Sequence, residues 1–148
     1  MDYNLQFQLF ENITNYFASV IEYDVLDNAP NTFDELMQYY NDTGRIGVWS
    51  GASDATIFNN PASNHAFRAW HDMQHILRLA PFTLEGEALA MQGQMRMVER
   101  LGFISQNSKN ICFQLLRIEI MEQAKYAAKH GEYMTNQKEF VINKLRGF

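Results

Sequence analysis

The string His71-Asp72-Met73-Gln74-His75, followed after eleven residues by Glu87, holds the residue types that can do chemistry at a spacing that can bring them together. His71 and His75 stand one helical turn apart, so both imidazoles leave a helix on one face and can reach one ion. Asp72 lies about 100° around from His71. It is the candidate catalytic carboxylate, either as a further metal ligand or as the acceptor that orients an imidazole through its other N–H. Pro81 breaks the chain after that helix and allows a reversal that returns Glu87 on the next one. Two neutral imidazoles and a carboxylate, with coordination positions left open, suit catalytic zinc and equally suit a two-histidine-one-carboxylate iron centre. The expected cofactor is one divalent metal ion held by His71, Asp72, His75 and Glu87: zinc first, with iron and manganese as the alternatives.

The helical faces test this reading. With Trp70 at 0°, Ala66, Met73 and Leu77 cluster within about 60° of it. His71 and His75 fall near 100° and 140°, alongside Arg68 and Arg78, an arrangement that also describes the polar face of a solvated helix. Glu87 tips the balance. On its own helix it lies within about 60° of Leu84, Met91 and Val98, so the pattern places a carboxylate in an apolar stripe, where an unpaired charge is expensive. Glu85 points away and reads as an ordinary exposed acid. Glu119 and Glu122 lie in the middle of a helix that is apolar nearly all round, 108–130, which marks it as central and buried. Glu119 shares a face with Cys112, Leu115 and Tyr126. It is a partner of the ligands, a further ligand, or half of a buried pair with an Arg from another helix.

Helices must position these groups. Leu5, Leu9, Ile13, Phe17 and Val20 recur at helical spacing and predict an amphipathic helix over 3–23. Asp27-Asn28-Ala29-Pro30 breaks the chain, and Thr32-Phe33-Asp34-Glu35 has the form of a capping box that starts a short helix through about Tyr40. Residues 41–63 are rich in turn formers and read as one long irregular loop, either a lid or a packed connection. Helices follow at about 64–80, 84–103, 108–130 and 134–146, with Gly102 and Gly131 where C-caps belong. Strand signals are weak apart from Arg45 to Trp49. The expectation is a single all-α domain over 1–148, with five to six helices packed antiparallel through short connections.

Composition agrees with one globular domain. The chain has 148 residues, 47% hydrophobic and 20% charged, so disorder, coiled coil and collagen are excluded. Residues 1–60 carry nine acids against the single base Arg45, and the later part carries only a small, scattered basic excess. That leaves no footprint for nucleic acid. The lone Cys112 excludes an intramolecular disulfide and a multi-cysteine zinc site. No apolar run is long enough to span a bilayer, and Met1-Asp2-Tyr3-Asn4 lacks the basic start of a signal peptide. A cytoplasmic protein is the expectation. The aromatic and Met content suits a greasy pocket as well as a core, with Met91, Met95 and Leu115 as candidate lining.

Other chemistries fit less well. The pattern is similar to the zincin HExxH, but Asp72 is one methylene too short for the general-base role, so peptidase activity is not expected. A phosphohydrolase built on a His-Asp pair wants a histidine well upstream and an aspartate downstream, and the chain has neither before His65 nor after Asp72. A di-iron bundle uses two Glu-x-x-His motifs, which are absent. Cys112 reads as packing. His130 reads as a residue favoured by a helix C-terminus, and His65 has no assigned role.

The full string His71-Asp72-x-x-His75, eleven residues, then Gly86-Glu87 resembles the motif of the coenzyme Q biosynthesis protein 4 family, which serves ubiquinone synthesis. Those four residues at that spacing arise by chance on the order of once in several thousand chains of this size. The resemblance covers 71–87 strictly and 64–105 loosely. This chain is shorter than typical members and lacks glycines between Ile76 and Leu84. The resemblance implies an all-helical fold and a mononuclear site on His71, Asp72, His75 and Glu87. It also implies a neighbouring apolar pocket for a prenylated hydroxybenzoate or quinone precursor, oxidative decarboxylation, and peripheral membrane contact. The alternatives are a non-catalytic module that binds an isoprenoid lipid beside a structural metal, and a metal-free helical interaction protein. A homo-oligomer is compatible with all three.

Overall fold

The computed structural model describes residues 2–147. Its elements run α1 (Asn4–Ala18), β1 (Tyr23–Leu26), α2 (Phe33–Thr43), β2 (Ile46–Trp49), α3 (Pro61–Arg78), α4 (Leu84–Glu99), α5 (Gln106–Leu116), α6 (Gln123–His130) and α7 (Gln137–Arg146). A π-helical turn, Arg117–Glu122, joins α5 to α6 in one continuous helix. The chain is therefore an all-α domain of six helices among the described residues, with one small two-stranded sheet.

Side-chain size explains where α1 departs from expectation. Its buried face carries Phe7, Phe10, Ile13, Thr14 and Phe17, whereas Leu5 and Val20 are exposed. Two stripes compete on this helix, and the one with three phenylalanines removes more apolar surface from water. The helix stops at Ala18 rather than running to residue 23, because Tyr23–Leu26 is recruited as a strand. It pairs in parallel with Ile46–Trp49, in the register Tyr23↔Ile46 and Leu26↔Trp49. Parallel strands need a crossover, and α2 supplies it. Thr32 caps α2 by accepting from the Glu35 amide at 3.1 Å, and Glu35 accepts from the Asn31 amide at 2.8 Å. Asp24 ties the unit together, accepting from Tyr39 Oη at 2.6 Å and Arg45 Nε at 2.8 Å.

The 41–63 stretch is thus divided: it contributes the end of α2, β2 and the first turn of α3. Residues 44–45 and 50–60 are irregular, and Ile57 and Phe58 anchor the longer of these segments in the core. This is a packed connection. Helix α3 is central, packed by α1, β2 and α4. One face joins an aromatic core in which Phe17 stacks on Trp70 at 4.9 Å and Phe10 meets Phe67 at 5.7 Å. Another joins a smaller cluster of Leu36, Ile46, Val48, Ala69 and Ile76. Its third neighbour is α4, antiparallel to it, which carries Glu87. Helix α4 ends at Glu99, and Gly102 caps nothing, whereas Gly131 caps α6 at φ +81°.

Candidate metal centre

Three local devices bring Glu87 back over the histidines. Helix α3 ends on Leu79, which sits in the left-handed region at φ +50°. That turn lets the Ala80 amide donate to His75 O at 2.9 Å. Thr83 then caps α4 by accepting from the Gly86 amide at 3.0 Å. Finally, Gly86 lies directly against the preceding loop: a Cβ there would stand 1.8 Å from the Pro81 carbonyl oxygen. Only glycine allows α4 to begin this close to the end of α3. Farther along the same seam, a Cβ on Gly93 would meet Gln74 Oε1 at 2.1 Å.

The result is a triangle of ligand atoms. His71 Nε2 lies 2.7 Å from Glu87 Oε2, His75 Nε2 lies 3.1 Å from the same oxygen, and the two Nε2 atoms are 3.1 Å apart. One ion can stand about 2.0–2.2 Å from all three corners of such a triangle. The opposite edges of both rings are committed. His71 donates Nδ1–H to Gln94 Oε1 at 2.8 Å, and His75 donates Nδ1–H to the Ala80 carbonyl at 2.7 Å. Carbonyl oxygens only accept, so both rings carry their proton on Nδ1 and turn an Nε2 lone pair toward the carboxylate. Three lone pairs at this range require a cation between them, either a metal ion or a proton. His75 is fully enclosed, with 1% side-chain exposure against 14% for His71 and 16% for Glu87, so the face seen in the sequence is not a solvated one.

The electrostatics follow. Burial alone would raise Glu87, but its hydrogen bonds to His71 and His75 outweigh that and hold it down at about 2. Burial alone would lower His71, but the Glu87 carboxylate outweighs it and raises the ring's proton affinity. Asp72 stands apart from the triangle. The turn of about 100° from His71 directs its carboxylate to the wall of the adjoining cavity instead. Burial pushes it up to about 6, against the pull of His71 and His75.

That cavity has a volume of about 440 Å³. His71, Asp72 and Glu87 open onto it, with Trp49, Phe67 and Phe82 as aromatic walls. Met91, Met95 and Leu115 do not line it; they pack in or against the main core. Arg68 sits on its rim, donating to Trp49 O and, at 3.2 Å, to Ala52 O. Ala52 is itself strained at φ +51°.

Glu119 reaches the same cavity from the π-helical turn. Its Oε1 is enclosed with no partner among the described residues, and no Arg forms the buried pair considered above. Burial pushes it up to about 8, opposed only by Arg68. Cys112 and Leu115, expected on its face, are core residues, and Glu119 itself stands inside the π turn.

Gln94 is a site residue outside the motif. It lies two turns after Glu87 on the same face, and that spacing was the available signal. Its Nε2 is also enclosed and unpartnered among the described residues, a cost accepted in aiming Oε1 at His71. The Ala80 carbonyl is backbone and left no residue-type signal. Cys112 is fully buried and its thiol is pushed up to about 11, which fits packing rather than nucleophilic use. His65 contacts the Ser50 carbonyl at 3.1 Å, and His130 packs on Tyr126 with ring centroids 4.0 Å apart. No family model, curated protein or solved structure matches the chain.

Proposed function

We propose that the protein holds one divalent metal ion on His71 Nε2, His75 Nε2 and the Glu87 carboxylate. The ion's open side, toward the cavity, would bind or activate an oxygen-bearing small molecule. The observation that carries this reading is the commitment of both Nδ1–H groups to carbonyl oxygens, which leaves three lone pairs converging at 2.7–3.1 Å. Three protein ligands leave positions for water or substrate, as a catalytic centre requires and a closed structural site does not. Asp72, on the wall beside the ion, is placed to orient a bound water or the substrate.

The motif's resemblance to the coenzyme Q biosynthesis protein 4 family supports a narrower form of the reading. In that form the ligand is a prenylated hydroxybenzoate or quinone precursor, the reaction an oxidative decarboxylation, and the contact with a membrane peripheral. A cavity of about 440 Å³ with charged walls suits a ring and its polar groups better than a whole isoprenoid chain.

The second reading is a metal-free helical module, favoured by the raised proton affinity of His71. One proton on His71 Nε2 would bridge to Glu87 and satisfy the triangle. Calorimetric titration of chelator-treated protein separates the two, using Zn2+, Mn2+ and, anaerobically, Fe2+. One equivalent taken up by the wild type and none by a His71→Ala/His75→Ala variant is the expected result. No uptake of any of the three by the wild type leaves the proton-bridged module.

A further inference from the structure

Glu119 is a carboxyl group that the metal triangle does not use. Its enclosed Oε1 lacks a partner, it stands on a π-helical turn inside an otherwise regular helix, and it lines the cavity onto which His71 and Glu87 open. π turns persist at a cost in regular packing and recur at functional sites. Arg68 does not neutralise it by direct pairing, because that guanidinium is tethered to the carbonyls of Trp49 and Ala52. A desolvated carboxyl without a cation partner keeps its proton, in line with a value pushed up to about 8. A protonated carboxyl is a donor, and Arg68 beside it carries further donors and a positive charge.

We propose that Glu119 and Arg68 form an oxyanion-recognition pole, so that the cavity selects a small monoanion whose carboxylate or phosphate oxygen accepts a hydrogen bond from the Glu119 carboxyl. Charge balance supports a monoanion and rests on the metal reading above. With a divalent ion bound, Glu87 and Asp72 offset its charge, uncharged Glu119 adds nothing, and Arg68 leaves one positive charge unmatched. The aromatic walls, Trp49, Phe67 and Phe82, favour a flat body on that anion. The ionisable groups that share the cavity with Glu119 are Arg68, His71 and Asp72 of α3, Glu87 of α4 and Tyr133 from the segment before α7. Glu122 is the nearest acid on its own helix.

The test is calorimetry on the full chain, first loaded with Zn2+ and then titrated with phenylacetate, methyl phenyl phosphate (a diester that stays a monoanion) and neutral phenylacetamide at pH 6.5 and pH 9. The zinc step reads the metal reading by itself, so its failure is recorded before any anion is added. The expected result is that at least one anion binds more tightly than the amide, and the ranking of the two anions separates a carboxylate ligand from a phosphate. Glu119→Ala should weaken that anion about tenfold, the loss of one hydrogen bond to a charged group. Glu119→Gln, which keeps a donor, should stay within about threefold. From pH 6.5 to pH 9 the wild type should lose more affinity than Glu119→Gln, since only the wild type acquires a negative charge at this pole. Should Glu119→Ala not fold, the pH difference between wild type and Glu119→Gln decides alone. Zinc-loaded protein that binds no anion would overturn the proposal. So would anion binding unaffected by Glu119 at both pH values, which would place the anion on the ion alone.

Discussion

Glu87 and Glu119 line one cavity, yet one carboxylate is held by two imidazoles at 2.7 and 3.1 Å while the other has an enclosed oxygen without a partner. Burial acts on both in the same direction. Two imidazole partners reverse it at Glu87 and hold that group at about 2, whereas Arg68 alone leaves Glu119 at about 8. The difference lies in the supporting structure. Glu87 stands on a seam where a capping threonine, a glycine against Pro81 and a left-handed turn all act on a few residues. Glu119 stands on a π-helical turn and lines the cavity with an enclosed oxygen that has no partner among the described residues. Identical side chains thus become an anion held between two imidazoles and a proton-holding acid through their neighbours alone.

The strongest way to break this contrast is to remove the imidazoles. Purified wild-type protein should carry close to one metal ion per chain by elemental analysis, and His71→Ala/His75→Ala close to none. Metal at a hundred times its Kd should stabilise the wild type by about 2.7 kcal/mol in thermal melts and leave the double variant unmoved. Gly86→Ala comes next, because its Cβ would fall on backbone at Pro81 that cannot swing aside. A loss of about 1–3 kcal/mol is expected, with weaker metal binding. Gly93→Ala should cost less, since it meets side-chain atoms, Gln74 Oε1 at 2.1 Å and Arg78 Nε at 2.6 Å, rather than backbone.

Much of the Glu87 side of the contrast was legible in the sequence, and little of the Glu119 side. The spacing of His71, His75 and Glu87, the expectation that Glu87 rather than Glu85 faces inward, and the Thr32 capping box all rest on local helical geometry, which holds in α2, α3 and α4. The helical wheel assumes about 100° per residue, and a π turn breaks that assumption, so sequence periodicity does not by itself place Glu119. The partner of Arg45 to Trp49 was hidden for another reason. Tyr23–Leu26 is short, follows a strong helical stripe, and becomes a strand only through a pairing about twenty residues away.

Metal-free protein sharpens the comparison through pH. Glu87 is depressed from its ordinary 4.5 to about 2, so its stabilisation is complete above about pH 4.5 and is lost as pH falls toward 2. Glu119 is raised from 4.5 to about 8. The folded chain then keeps a proton that the unfolded chain releases, and stability falls as pH rises from about 4.5 to 8. Denaturant titrations across this range should show Glu119→Gln removing the alkaline decline and Glu87→Gln removing part of the acid limb. The smallest expected effect is at Leu79, where glycine relieves a left-handed backbone. Leu79→Gly should raise stability by up to about 1 kcal/mol in the same titrations, without loss of metal.

The most direct measurement is an anomalous-difference map from crystals of metal-loaded protein, collected at the absorption edge of the bound ion. A single peak is expected within about 2.0–2.2 Å of His71 Nε2, His75 Nε2 and a Glu87 oxygen, with its remaining positions open to the cavity. A map with no peak there, or with the ion bound elsewhere while His71 and Glu87 stay paired at 2.7 Å, would contradict the account.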